Sequence, residues 1–178
     1  MSWSHRSRER ATSSRSRLRS DDRETTVALD DIYKEVILDH YKNPRNKRDL
    51  PNAELSCTRN NPLCGDEITV FAHVEDGRIA ELTFQGAGCS ISQSSASMMT
   101  EAATSDSVDE ALDLAGAFRG MMAGDAQPDE DRFGDLVALK GVVKYPIRIK
   151  CAVLAWDVLQ EALQGAGEAT GAQPHAVG

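Results

Sequence analysis

Glu67-Ile68-Thr69-Val70-Phe71-Ala72-His73-Val74-Glu75-Asp76-Gly77-Arg78-Ile79-Ala80-Glu81-Leu82-Thr83-Phe84 is the stretch on which the fold turns. Ile68, Val70, Ala72 and Val74 alternate with more polar residues, the two-residue period of a half-buried strand. Glu75-Asp76-Gly77-Arg78 is a hairpin signal, because Asp-Gly tolerates the positive φ angles that a tight two-residue turn demands. Ile79, Leu82 and Phe84 then carry a return strand. Glu54 to Arg59 is a short strand candidate just upstream. Three consecutive strands with short links predict an antiparallel meander.

Helices flank this meander. Asp30 or Asp31 can cap a helix running to about Lys42, with Leu29, Ile32, Tyr33, Val36, Ile37, His40 and Tyr41 on one face. Asn43-Pro44 stops it, since the residue before a proline avoids the helical region. Ser90 to about Thr104 reads as a helix rich in small residues. Ser107-Val108-Asp109-Glu110 is a capping box opening a further helix that Gly124 can end. Residues 125 to 135 read as an acidic loop, and Leu136 to Leu139 as a short helical turn. Pro146 suits the first turn of a last helix reaching about Leu163. The fold class predicted is α+β: a small antiparallel three-stranded sheet packed against helices.

Composition sets the boundaries of function. The chain has 178 residues, 40% of them hydrophobic and 27% charged, enough for one domain with its own core. No apolar run approaches the roughly 18 residues of a membrane span, and the start lacks the apolar core of a signal peptide. Four cysteines without a secretory signal point to a reducing compartment, hence a cytoplasmic protein whose cysteines are thiols or ligands. The net charge of −8 is uneven, with seven of the 20 basic residues but only four of the 28 acidic ones within residues 1–24. The acidic remainder argues against nucleic acid as the main partner and for a basic patch on a protein. Residues 1–27 read as a disordered Ser/Arg-rich tail, with too few apolar groups to offset ordering entropy. Weak RNA binding, a transit peptide or a misplaced translation start are the alternatives there. The domain itself is placed at 28–164, and residues 165–178 read as a flexible tail.

Three cysteines carry informative neighbours: Cys64-Gly65-Asp66, Gly88-Cys89-Ser90-Ile91-Ser92, and Arg148-Ile149-Lys150-Cys151-Ala152. Three thiolates and one carboxylate make a tetrahedral set for a borderline-soft ion. Cys64 and Asp66 flank Gly65 where a strand begins, which an extended backbone would place on one side. Cys89 lies where a strand hands over to a helix N-terminus, whose free amides favour a thiolate. Arg148 precedes Cys151 by three residues and shares its helix face. Spacing alone leaves two readings open, because there is no C-x-x-C pair and a free cysteine often serves as a small buried apolar residue. Cys57 takes that second reading. His40 and His73 read as surface or interface histidines rather than ligands. Met98, Met99, Met121 and Met122 read as core filling.

Asp39-His40-Tyr41-Lys42-Asn43-Pro44-Arg45-Asn46, Asn61-Pro62-Leu63-Cys64-Gly65-Asp66, Gly88-Cys89-Ser90-Ile91-Ser92 and Ile149-Lys150-Cys151-Ala152 together resemble the IscU/NifU-type iron–sulfur assembly family. The match covers about residues 28–164 and is closest to the SufU branch. Lys150 stands where IscU scaffolds carry a histidine, and residues 116–135 look like the segment that SufU-like proteins add before the last helix. The resemblance implies a zinc-dependent sulfur acceptor that takes persulfide sulfur from a pyridoxal-phosphate-dependent, SufS-like cysteine desulfurase. It would pass that sulfur to downstream Fe–S assembly proteins. It implies Cys64, Asp66, Cys89 and Cys151 as ligands of Zn2+, Cys64 as the sulfur acceptor, and a supporting role for Arg148. The alternative is an IscU-type scaffold on which a [2Fe-2S] cluster is built on the same residues; a purely structural zinc module is the third class.

Overall fold

The computed structural model describes residues 30–169. The chain divides into two units, Met1–Ile32 and Tyr33–Gly178. Of the first unit only residues 30–32 are described, and they are helical. The expected Ser/Arg-rich tail lies outside the described residues, as do residues 170–178.

In the second unit, helix α1 covers residues 33–42. Strands β1 (Leu55–Asn61), β2 (Asp66–Glu75) and β3 (Arg78–Ala87) follow. They form one antiparallel sheet in the order β1-β2-β3, the predicted meander. Asp76 and Gly77 both have positive φ (51° and 75°), so the β2–β3 hairpin closes through the primed turn its sequence specifies. Helices α2 (Ser90–Ala103), α3 (Val108–Ala123), α4 (Glu130–Phe133), a 3-10 helix (Gly134–Lys144) and α5 (Pro146–Ala169) complete the unit. The expected α+β class holds. No helix among the described residues is long and apolar enough to cross a membrane.

The core lies on one face of the sheet. Ile68, Val70 and Ala72 of β2 and Ile79, Leu82 and Phe84 of β3 are buried there. Helix α5 lies across β1 and β2, and α2 packs along β3 and α5. Each large side chain so buried contributes about 1.5–3 kcal/mol relative to exposure. Phe118 of α3 stacks on Trp156 of α5, with centroids 4.6 Å apart and planes 18° off parallel. The four methionines singled out in the sequence are all core residues. Ser107 and Glu110 close the capping box of α3 as their spacing requires.

Helix α2 is unusual in being buried from Ser92 to Thr100 although five of those nine residues carry hydroxyls. Their polar atoms are spent internally. Ser94 donates to the Ile91 carbonyl, Thr100 to that of Ser97, and Ser95 to that of Ala152 on α5. Small side chains let α2 approach both sheet and α5 closely.

Three expectations are corrected. Residues 125–144 hold more structure than an acidic loop and one turn, because α4 and the 3-10 helix occupy most of that stretch. Asp129 caps α4 by accepting from the N–H groups of Asp131 and Arg132. Phe133, Leu136, Leu139 and Val142 are buried at steps of three, the period of a 3-10 helix and not the 3.6 of an α-helix. The last helix runs to Ala169, past the expected end near Leu163. His40 is not at the surface: it is 1% exposed, at the end of α1.

Phe118→Ala should remove the stacked partner of Trp156 and leave a cavity, costing about 3–5 kcal/mol. A guanidinium unfolding curve should show a lower midpoint with an unchanged slope.

Candidate metal centre

The site begins where β1 ends. Asn61 pairs with Asp66 across the β1–β2 ladder, so residues 62–65 must reverse the chain. The Asn61 carbonyl accepts from the N–H groups of Cys64 (3.2 Å) and Gly65 (2.8 Å). The Asn61 side-chain oxygen accepts from the Leu63 N–H at 3.1 Å. Gly65 has φ +70°, a conformation that costs a side-chain-bearing residue free energy. Cys64 is therefore held on a tight turn, not on the extended backbone expected from sequence. The two residues still come together, but through the turn.

Asp66 opens β2 in phase with Ile68, Val70 and Ala72, so strand alternation sends its carboxylate to the inward face, where it is 0% exposed. A buried carboxylate needs partners. One oxygen accepts from the Cys89 N–H at 2.8 Å, while the other has the Cys89 sulfur at 3.8 Å. A thiol is a weak donor, so that second oxygen is held only by weak contacts.

Cys89 caps α2. Its sulfur accepts from the Ser92 N–H at 3.5 Å, and its carbonyl accepts from the Ser92 hydroxyl at 3.1 Å. Gly88 before it has φ +156°, and a Cβ there would lie 2.3 Å from an Asp66 carboxylate oxygen. Only glycine lets the chain pass that carboxylate and still deliver the Cys89 amide to it.

Cys151 enters from the second turn of α5 and is 0% exposed. Its sulfur lies 3.2 Å from that of Cys64. The Ser95 hydroxyl fixes α5 at this level by donating to the Ala152 carbonyl at 2.6 Å and accepting from the Trp156 indole N–H at 3.2 Å. Burial pushes the Cys151 thiol well up, with Cys64, Asp66 and Cys89 adding to the effect. Arg148 is exposed one turn earlier. Its guanidinium is pushed up by the charge on Cys89 and then by hydrogen bonding to Cys151.

Cys64, Asp66 and Cys151 thus present ligand atoms within 4.8 Å of one another. Cys89 stands at the rim of that trio, bonded to Asp66 on one side. Cys57 stays apart, on β1 opposite Val70, its thiol pushed up by burial and then by Glu161. Sequence reasoning missed Asn61, Gly88 and Ser95 as positioning residues. Asn61 and Gly88 lay in quoted motifs without a role, whereas nothing local in the sequence marks Ser95, whose partners are 57 and 61 positions away.

The chain matches the family described as NifU-like N terminal domain over residues 32–152. The zinc-dependent sulfurtransferase SufU of Bacillus subtilis is 45% identical over 133 residues, which cover 75% of this chain and 90% of that protein. The iron-sulfur cluster assembly scaffold protein IscU of Streptococcus pyogenes is 40% identical over 141 residues, covering 79% of this chain and 88% of the other. Among solved structures, the putative iron–sulfur cluster assembly scaffold protein for the SUF system from Fervidobacterium islandicum superposes with a TM-score of 0.69 at 33% identity. That likeness covers 72% of this chain and 94% of the other.

Gly88→Ala should push the Asp66 carboxylate from its place and weaken metal binding about 10- to 100-fold, the usual effect of disturbing a ligand's support. Competition against a chromophoric chelator measures it. In metal-free protein, Cys57 and Cys151 stay protonated in the folded chain above the pH where they ionise unfolded. The folded chain then holds more protons, so stability is complete below about pH 9 and falls as pH rises beyond it. Urea unfolding at a series of pH values should show that decline, and Cys151→Ala should flatten it.

Proposed function

This chain belongs to the NifU-like N-terminal domain family, and on that footing we propose that it is a zinc-dependent sulfur acceptor that takes persulfide sulfur from a cysteine desulfurase for iron–sulfur cluster biogenesis. The observation that carries the reading is the close set of Cys64, Asp66 and Cys151, brought from a turn, a strand and a helix to one point. The donor set fits zinc in kind. Bonds of about 2.0–2.3 Å to thiolate and carboxylate ligands give tetrahedral edges of about 3.3–3.8 Å. The Cys89–Asp66 separation of 3.8 Å matches that range, and the Cys64 and Cys151 sulfurs, 3.2 Å apart, would open by about half an ångström to reach the thiolate–thiolate edge at its upper end. A buried Asp66 oxygen facing only weak thiol donors is the kind of group a cation completes. Cys64, Asp66, Cys89 and Cys151 would hold the ion, which when bound keeps its thiol ligands deprotonated at neutral pH.

The chemistry assigned to the protein's own residues is thiol exchange. Cys64 is half-buried on its turn while Cys151 behind it is fully buried, so of that close pair Cys64 is the thiol an incoming group can reach. Its thiolate attacks the outer sulfur of a cysteine persulfide on the partner. A new bond forms between Cys64 Sγ and that sulfur, and the partner's S–S bond breaks. The partner's cysteine leaves as thiolate, so charge and oxidation level balance without a further reagent. Arg148, whose guanidinium is pushed up by Cys89 and Cys151, is assigned to offset the negative charge that gathers here.

The partner assigned is a pyridoxal-phosphate-dependent cysteine desulfurase, and downstream Fe–S assembly proteins receive the sulfur. Leu63 and Ile147, each 69% exposed, and Tyr145, 62% exposed, adjoin the site in sequence. Exposed apolar side chains so placed in the sequence suit a docking protein. Four free thiols among the described residues agree with a reducing, cytoplasmic setting. The likeness to IscU scaffolds favours a second reading, in which a [2Fe-2S] cluster is assembled on these residues. Lys150, exposed and lacking the imidazole expected of that branch, weighs against it.

Cys64→Ala should reduce sulfur acceptance from a persulfidated cysteine desulfurase to background, while Cys57→Ala leaves it unchanged. Mass spectrometry of the acceptor after mixing reads both. Normal persulfide uptake by Cys64→Ala would defeat the assignment. Elemental analysis separates the readings: a colourless protein with one zinc supports sulfur transfer, a brown one with iron and sulfide the scaffold.

A further inference from the structure

His40 ends α1 inside the protein, yet one edge of its ring meets two solvent-facing carboxylates. Its Nε2 lies 3.0 Å from the Asp135 carboxylate at the start of the 3-10 helix. The same nitrogen lies 3.8 Å from the Glu101 carboxylate in the last turn of α2. The three ligand atoms all fall within 4.8 Å of one another. Glu101 and Asp135 are 47% and 58% exposed, so a cation has a route from solvent.

The far side of the ring is built for a ligand role. Nδ1 meets the Ser97 hydroxyl at 2.8 Å, and Ser97 Oγ is itself fixed by accepting from the Arg45 N–H at 2.8 Å. Ser97 is 0% exposed. A hydroxyl both donates and accepts. It can therefore serve the ring with Nε2 protonated toward Asp135, or with Nδ1 protonated and the Nε2 lone pair free. The second state is the one that metal-bound histidines adopt, held by a hydrogen bond from the other ring nitrogen. Arg45 does not fill the gap: its guanidinium bonds Asp39 at 2.7 Å and stands 3.8 Å from the other oxygen of Glu101.

We propose that His40, Glu101 and Asp135 form a second divalent-cation site, separate from the thiol cluster and of different chemistry. One imidazole nitrogen and two carboxylates suit Mn2+ or a similar first-row ion, whereas the thiols select a softer one. An ion there would clamp α1, α2 and the 3-10 helix at one point.

The test uses the full chain with its thiol cluster saturated with zinc. Mn2+ is titrated in and free Mn2+ is followed by its electron paramagnetic resonance signal. The expected result is one saturable equivalent of bound Mn2+. Glu101→Gln and Asp135→Asn, both surface changes, should each weaken it at least about tenfold. Asp113→Asn, an exposed acid on α3 outside the cluster, should leave it unchanged. His40→Gln should abolish binding, but the carboxylate variants decide the matter even if that buried change impairs folding. Absence of saturable binding in the wild type would overturn the proposal. So would undiminished binding in both carboxylate variants, or an equal loss in Asp113→Asn, which would mark diffuse surface attraction.

Discussion

A single buried hydroxyl sets the distance between the two helices that carry the site. Ser95 donates to a carbonyl of α5 and accepts from the Trp156 indole, so α2 and α5 share one hydrogen-bonded anchor in the core. Cys89 lies less than two turns from that anchor on α2, and Cys151 is the immediate neighbour of the carbonyl that Ser95 holds. Both partners of the hydroxyl are out of water, so losing it would strand polar groups in a medium that cannot solvate them. The placement of two thiols thus rests on an interaction that involves neither.

The sheet contributes the other half of the arrangement by a different logic. Strand alternation makes Asp66 point inward because Ile68, Val70 and Ala72 do, and the turn anchored on Asn61 delivers Cys64 above it. The polar end of an apolar stripe becomes the floor of the site. The burial gradient from Cys151 to Cys64 follows from the same placement, since helix and core cover one and only a turn covers the other. Access from one side is a consequence of topology.

Much of this was legible in the sequence. The 67–84 pattern specified the hairpin, Ser107 and Glu110 specified the start of α3, and the glycine-flanked cysteines and Asp66 marked the residues that converge. What was not legible depended on distant contacts or on an unusual period. His40 reads as a surface or interface residue until Ser97 and Asp135, 57 and 95 positions away, are brought against it. The 3-10 helix hid behind its own spacing, because steps of three do not register as an α-helical face. Cys64 and Asp66 were correctly paired for the wrong reason, since a glycine with positive φ bends the chain where alternation assumes it straight.

Helix α2 is thin. Ser92, Ser94, Ser95, Ala96 and Ser97 make its first turns slender ahead of the bulkier Met98 and Met99, and that stretch fills the gap between sheet and α5 as a shim fills a joint. Bulk added to any of its inward positions would widen that joint and draw Cys89 from its neighbours. Drift at Ser92, Ser94, Ser95, Ala96 and Ser97 is accordingly confined to exchanges among the smallest side chains. In remote kin, stature along α2 should outlast the identity of almost every solvent-facing residue.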